Sequence, residues 1–185
     1  MNNVRALVAA YRPACEQEAL DRKQMLAFMD ANSGWLTREN TMAHVTASAW
    51  VVDASRSKVL MAYHNIYRSW SWVGGHADGE NDLSAVAMRE AQEETGIVPR
   101  LVVPQPVSIE SLCVNSHIKK GKFVASHIHM NVTYLLEADP ACEGRAKPDE
   151  NSGVQWIPFD RVQQCVSEDA MRPIYEKLMA RAAIY

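Results

Sequence analysis

The segment Leu83–Gly96, reading LSAVAMREAQEETG, constrains this chain more than any other. It reads as a helix with marked ends: Asn81 or Asp82 can cap the first turn, and Gly96 can take the left-handed conformation after the last. At about 100° per residue, Leu83, Val86 and Ala87 fall on one stripe that should face a core, and the same stripe runs on into Glu90, Glu93 and Glu94. Side chains three and four apart are neighbours on a helix, so these carboxylates converge and repel, and the negative helix end adds to the cost. A cation relieves that cost. Converging carboxylate oxygens suit hard divalent cations, and magnesium is usually shared between carboxylates and substrate phosphates. The pattern therefore predicts a divalent metal and a phosphate-bearing ligand. Arg89 lies off the stripe but is long enough to reach Glu90 or Glu93 from the flank.

Around this helix the chain reads as an α/β fold. From Val4 to Met29 apolar residues recur at helical spacing, interrupted at Arg12-Pro13, which predicts a kinked helix or two short ones. After Asn32-Ser33-Gly34 the pattern turns β-rich: His44–Asp53, Lys58–His64 and Ser71–Val73, the last leading into Gly74-Gly75. Extended stretches at Leu101–Val114, Ala125–Glu137 and Val154–Ile157 follow the central helix, and helices at Phe159–Val166 and Met171–Ala183 close the sequence. The order predicts a mixed sheet between helices. A length of 185 residues with 48% hydrophobic content suits one main domain, residues 41–185, preceded by a helical extension at 1–40.

The formal charge of −3, with Lys119-Lys120 and Lys122 as the one short basic run, argues against a nucleic-acid partner. Cys15, Cys113, Cys142 and Cys165 have no zinc or redox spacing, and the first residues carry neither a signal-peptide core nor a membrane span. The expectation is a cytoplasmic protein with reduced thiols and no membrane partner.

Gly75, five residues, Asn81, seven residues and then Arg89-Glu90-Ala91-Gln92-Glu93-Glu94-Thr95-Gly96-Ile97 resembles the Nudix box. One position departs, because Asn81 stands where the family has its first glutamate, between Glu80 and Asp82. The resemblance implies a Nudix α/β/α sandwich and Mg2+ or Mn2+ held by Glu90 and Glu94, with the carbonyl of Gly74 or Gly75 completing the shell. Glu93 would be a further ligand or would orient water, and Arg89 would orient a glutamate. The activity implied is hydrolysis of a phosphoanhydride in a nucleoside diphosphate linked to another moiety, by a monomer or a homodimer.

Residues outside the box extend the list. Glu93 is the first candidate for the carboxylate that accepts the water's proton; in some relatives the base lies on a loop instead, and Glu150 in Lys147-Pro148-Asp149-Glu150-Asn151 precedes a predicted strand. His127 and His129 share one strand face and are candidates to line the substrate cleft or help hold metal. His76 follows the paired glycines as a turn residue or a ligand, and Trp70 and Trp72 flank the box loop as candidates to stack on a base. Two other readings compete. An isopentenyl diphosphate isomerase-like enzyme needs a cysteine near the box loop, and Ser71–His76 has none. A non-catalytic nucleotide sensor draws on Asn81 but leaves the retained glutamates without a purpose.

Overall fold

The computed structural model describes residues 4–119 and 121–185, so Met1–Asn3 and Lys120 of the basic run lie outside the described residues. Helices α1 (Val4–Ala10) and α2 (Glu16–Ala31) are separated at Arg12-Pro13, where the ring fixes φ and no amide hydrogen is available to continue the first helix. Strands β1 (Ala43–Val52), β2 (Lys58–His64), β3 (Ser69–Ser71) and β4 (Val73–His76) precede α3 (Leu83–Thr95). Then follow β5 (Arg100–Leu101), β6 (Ser108–Val114), β7 (His117–Lys119), β8 (Lys122–Val124), β9 (His127–Glu137), β10 (Asn151–Pro158), α4 (Phe159–Cys165) and α5 (Arg172–Ala182). The expected extended stretch at 101–114 is two strands separated by a loop, and the β7–β8 ribbon falls where no strand was expected.

The sheet is mixed, ordered β10-β2-β1-β9-β5, with β3 on β2, β4 on β1 and β6 on β9. Strand β1 is its spine: it runs parallel to β9 from Ala43↔Ile128 to Val52↔Glu137, and every one of its residues is buried. Alternation along β1 divides the core. Val45, Ala47, Ala49 and Val51 face α1, α2 and α3, packing with Met25, Val86, Ala87 and Ala91. Trp50 and Val52 face α4 and α5, packing with Val162, Tyr175 and Leu178. This is the α/β/α sandwich that the sequence pattern predicts.

The second face of β1 begins polar. Thr46 and Ser48 donate to Asn131 on β9, and Asn131 donates to Glu110 on β6 at 3.0 Å. From there the network continues through Lys177, 3.0 Å from Glu110, to Glu18 on α2, which is bonded by Arg181 at 2.6 and 2.8 Å. Burial pushes Glu18 up, but Arg181, the Ala14 N–H and Lys177 outweigh it and hold the carboxyl at about 2. The N-terminal and C-terminal helices are thus tied to three strands by groups that have little access to water. Removing one member of such a cluster leaves its partners buried and uncompensated. Glu18→Ala is expected to lower the unfolding free energy by about 3 kcal/mol in urea titration; a loss under about 1 kcal/mol would contradict the role given to this network.

Candidate active site

Helix α3 starts and stops where its sequence dictates. Asp82, rather than Asn81, caps it, accepting from the Ser84 and Ala85 amides at 3.1 Å, and Gly96 ends it at φ 71° with its N–H on the Gln92 carbonyl. The buried face is Leu83, Val86, Ala87, Ala91 and Glu94, with Glu90 half-buried. Glu93 departs from the expected stripe: it is exposed on the flank, 3.8 Å from Arg89 and 3.7 Å from Lys147. The reason is angular: Glu93 lies roughly 100° from the mean direction of the buried residues, further than Val86 or Ala91, while Glu90 and Glu94 lie within about 40° of it.

Glu94 is the buried acid. Its carboxylate accepts the Gly74 N–H at 2.9 Å, which joins α3 to β4. Burial pushes its carboxyl up to about 8; the Gly74 N–H opposes this, and the charges of Glu150 and Glu90 add to it. Glu90 is raised by burial as well, with Arg89, 3.3 Å away, holding it down. Arg89 therefore bridges Glu90 and Glu93 from the flank, within the reach anticipated for it.

The two glycines differ in what a side chain would meet: backbone at Gly74, the movable end of a side chain at Gly75. A Cβ on Gly74 would lie 2.6 Å from the Ala47 carbonyl oxygen and 2.7 Å from Ser48 Cα, in the backbone of β1. A Cβ on Gly75 would lie 2.4 Å from the carboxyl carbon of Glu90. The glycine pair thus lets the strand lie flat on β1 while leaving room for an acid above it. The donor set is carboxylate and backbone oxygen, which fits a hard divalent cation of the Mg2+ or Mn2+ kind.

Two loops close on these acids. Glu150 carries a charge felt at both Glu94 and Glu90 and pairs with Lys147 at 3.0 Å. Asn151 donates to the Glu94 carbonyl at 3.0 Å, fixing that loop against the end of α3. Arg38 forks onto Asp78, and its guanidinium also feels Glu90 and Glu150. Lys147 and Arg38 escaped the sequence reading, because single basic residues on loops carry no pattern. Asn81 is exposed, outside the helix and before its cap.

The histidines form a separate cluster on the second face of the sheet. The β1–β9 register sets His44 beside His129, and the ring centroids of His44 lie 5.0, 4.9 and 5.0 Å from those of His76, His127 and His129. Burial lowers all three of His44, His76 and His129, His76 to about 3 and His129 to about 2, so these rings are neutral at pH 7. Trp72, by contrast, packs edge-on against Tyr175 in the core and is 9% exposed. Trp70 is half-buried against Tyr63.

Comparison with known proteins shows the family. The NUDIX domain model matches residues 42–182. The chain belongs to the Nudix family. A curated relative, CMP-5'-(N-acetyl-N-hydroxy-3-aminopropyl)phosphonate hydrolase of Streptomyces rubellomurinus (strain ATCC 31215), is 29% identical over 126 residues, 64% of this chain. The chain spans about half the length of that relative, 53% of it. Among solved structures, a Nudix-family hydrolase from Clostridium perfringens superposes with a TM-score of 0.58 at 16% identity, covering 76% of this chain and 97% of that one. A C. elegans Ap4A hydrolase in a binary complex gives 0.51 at 17% identity, covering 76% and 98%. These likenesses establish the Nudix fold. Nudix hydrolases generally use divalent metals, in keeping with the acids gathered on α3.

Two outcomes test the site as built. Because Glu94 holds its proton more tightly folded than unfolded, metal-free protein should lose stability as pH rises from about 4.5 towards 8. In EDTA at pH 9, Glu94→Gln should melt higher than the parent, by up to roughly 4 kcal/mol, with the gap closing near pH 4; a parent chain as stable as the variant at pH 9 would refute this. Gly75→Ala should fold with little loss, since the flexible end of Glu90 can move aside, yet weaken Mn2+ binding measured by calorimetry. Gly74→Ala should instead lower the melting temperature, and the opposite assignment of effects would show that the two glycines have been misread.

Proposed function

We propose that this chain is a Mg2+- or Mn2+-dependent hydrolase of a phosphoanhydride in a nucleotide linked through its terminal phosphate to another phosphoryl or phosphonyl group, with a nucleoside diphosphate derivative as the substrate class. The observation that carries the reading is the pair of buried Glu94 and half-buried Glu90, one turn apart on α3 and lodged over Gly74-Gly75, where two acids are costly to hold without a cation. The name of the Streptomyces relative, a hydrolase of a CMP-linked phosphonate, supports that substrate class.

Glu90 and Glu94 are the proposed metal ligands, with the Gly74 carbonyl beside them. A bound divalent cation neutralises phosphate oxygens and polarises water for in-line attack. Arg89 and Lys147 offset the repulsion among the acids: Arg89 pairs with Glu90 and Glu93, and Lys147 with Glu93 and Glu150. Of the carboxylates proposed to take the proton of the attacking water, Glu150 is favoured over Glu93, because its charge acts on both metal-facing acids. Arg38, near Glu90 and Glu150 and on the surface, is suited to the substrate's phosphates once it leaves Asp78.

The test is product release from a panel of nucleoside diphosphate derivatives and CMP-linked phosphonates, with Mg2+, with Mn2+ and with EDTA. Turnover should require metal, and Glu94→Gln should lower kcat by at least about 100-fold with the fold intact. Glu150→Gln should lower kcat more than Glu93→Gln. No turnover across the panel, or turnover undiminished by EDTA, would sink the proposal.

A further inference from the structure

The histidine cluster has the geometry of a metal site, and it is not the site on α3. Among the described residues, His44, His127 and His129 are the group of three ligand-bearing side chains whose donor atoms all lie within 4.8 Å of one another. Two of the three rings are oriented by backbone carbonyls: His44 Nδ1 lies 2.9 Å from the Asn40 oxygen and His127 Nδ1 lies 2.8 Å from the Ala125 oxygen. A carbonyl can only accept, so each Nδ1 carries the proton and each Nε2 presents a lone pair. Such a carbonyl contact on the far nitrogen is the usual support of a metal-bound imidazole, setting both tautomer and ring angle.

The Nε2 lone pairs of His44 and His127 have no backbone partner, and without a metal His129 Nε2–H donates to His127 Nε2. His44 Nε2 is buried with no hydrogen-bond partner, an arrangement that is unfavourable unless something occupies it. His127 Nε2 and His129 Nε2 stand 3.1 Å apart, close to the separation of about 3.3 Å that two nitrogens adopt around a tetrahedral zinc ion. His76 packs edge-on against His129 and completes the imidazole wall. Position in the fold explains why the rings meet: His44 opens β1, His127 and His129 open the parallel strand β9, and His76 ends β4, paired with Thr46.

We propose that His44, His127 and His129 form a second metal site, which takes a borderline transition-metal dication such as Zn2+ or Co2+ and is distinct from the carboxylate site on α3. Ligand chemistry separates the two. Imidazole nitrogens favour zinc and its neighbours, whereas carboxylate and carbonyl oxygens favour magnesium and manganese. The sites are neighbours, since His76 directly follows Gly75, against which Glu90 packs. An ion held by the histidines would fix the strand ends that carry the glycine pair.

The experiment is titration of EDTA-stripped full-length protein with Co2+ in the presence of excess Mg2+, read by the visible absorption of the ion. One Co2+ per chain is expected, with the intensity of nitrogen-bound tetrahedral cobalt. His129→Gln and His44→Gln should each weaken it by more than about 100-fold, while Glu94→Gln leaves it unchanged. Cobalt binding that Glu94→Gln abolishes and His129→Gln spares would overturn the proposal, as would no Co2+ retained against Mg2+. Should either histidine variant unfold, Zn2+ titration of the parent chain followed by imidazole 15N NMR decides it. Nε2 of His44, His127 and His129 should shift while His64 and His117 stay still; a uniform response, or none, would refute the site.

Discussion

The hydrogen bond from Gly74 to Glu94 is the constraint on which the arrangement around the acidic helix depends. It brings an acid into the seam between α3 and the sheet, where burial raises its proton affinity, and it does so through a backbone amide that no side chain can replace. The neighbouring requirements follow from that placement. Gly74 must lack a side chain because the β1 backbone lies behind it, a side chain at Gly75 would displace the Glu90 carboxylate, and α3 must be capped at Asp82 and stopped at Gly96 for Glu90 and Glu94 to arrive together. A helix face that begins with Leu83 and Val86 and finishes with Glu94 is poorly suited to a core on its own terms. It becomes reasonable where the last turn meets a ligand that brings positive charge.

The parallel pairing of β1 with β9 organises the other face of the sheet. One register sets His44 by His129, Thr46 by Asn131 and Ser48 by Thr133, so that polar side chains line up across strands far apart in sequence. Past the histidines, the row is satisfied by hydrogen bonds that end on Glu110, Lys177, Glu18 and Arg181. Water is largely excluded from it, and each member is held by the next, so α2 and α5 are fixed to the strands with directional contacts that apolar packing alone would not supply. At His44, the polar row leaves a buried nitrogen without a partner in the protein.

How much of this was legible in the sequence varied with the range of the interaction. Local signals read well: the kink at Pro13, the ends of α3, the strands β1, β2, β9 and β10, and the spaced glycine and glutamate pattern that resembles the Nudix box. Side-chain partners at long range did not. Treating Glu93 as part of the buried stripe failed because a stripe read by eye is wider than the seam it must enter, and Glu93 stands at its edge against Arg89 and Lys147. Trp72 looked suited to stacking on a base because it adjoins the box loop, but strand alternation turns it towards Tyr175. The alternation that put His127 and His129 on one face was readable, whereas their meeting with His44 depends on a parallel register that no local pattern encodes. Lys147 and Arg38 reach the acids from loops whose paths are set by tertiary packing.

The central claim is that the acids of α3 hold a divalent cation next to the glycine pair. Crystals of the protein grown with Mn2+ and a non-hydrolysable nucleoside diphosphate analogue, examined by anomalous scattering at the manganese edge, test it directly. The expected peak lies between the carboxylates of Glu90 and Glu94 beside the Gly74 carbonyl, bridged to a phosphate oxygen. A map with the analogue bound and no manganese at those glutamates would contradict the account.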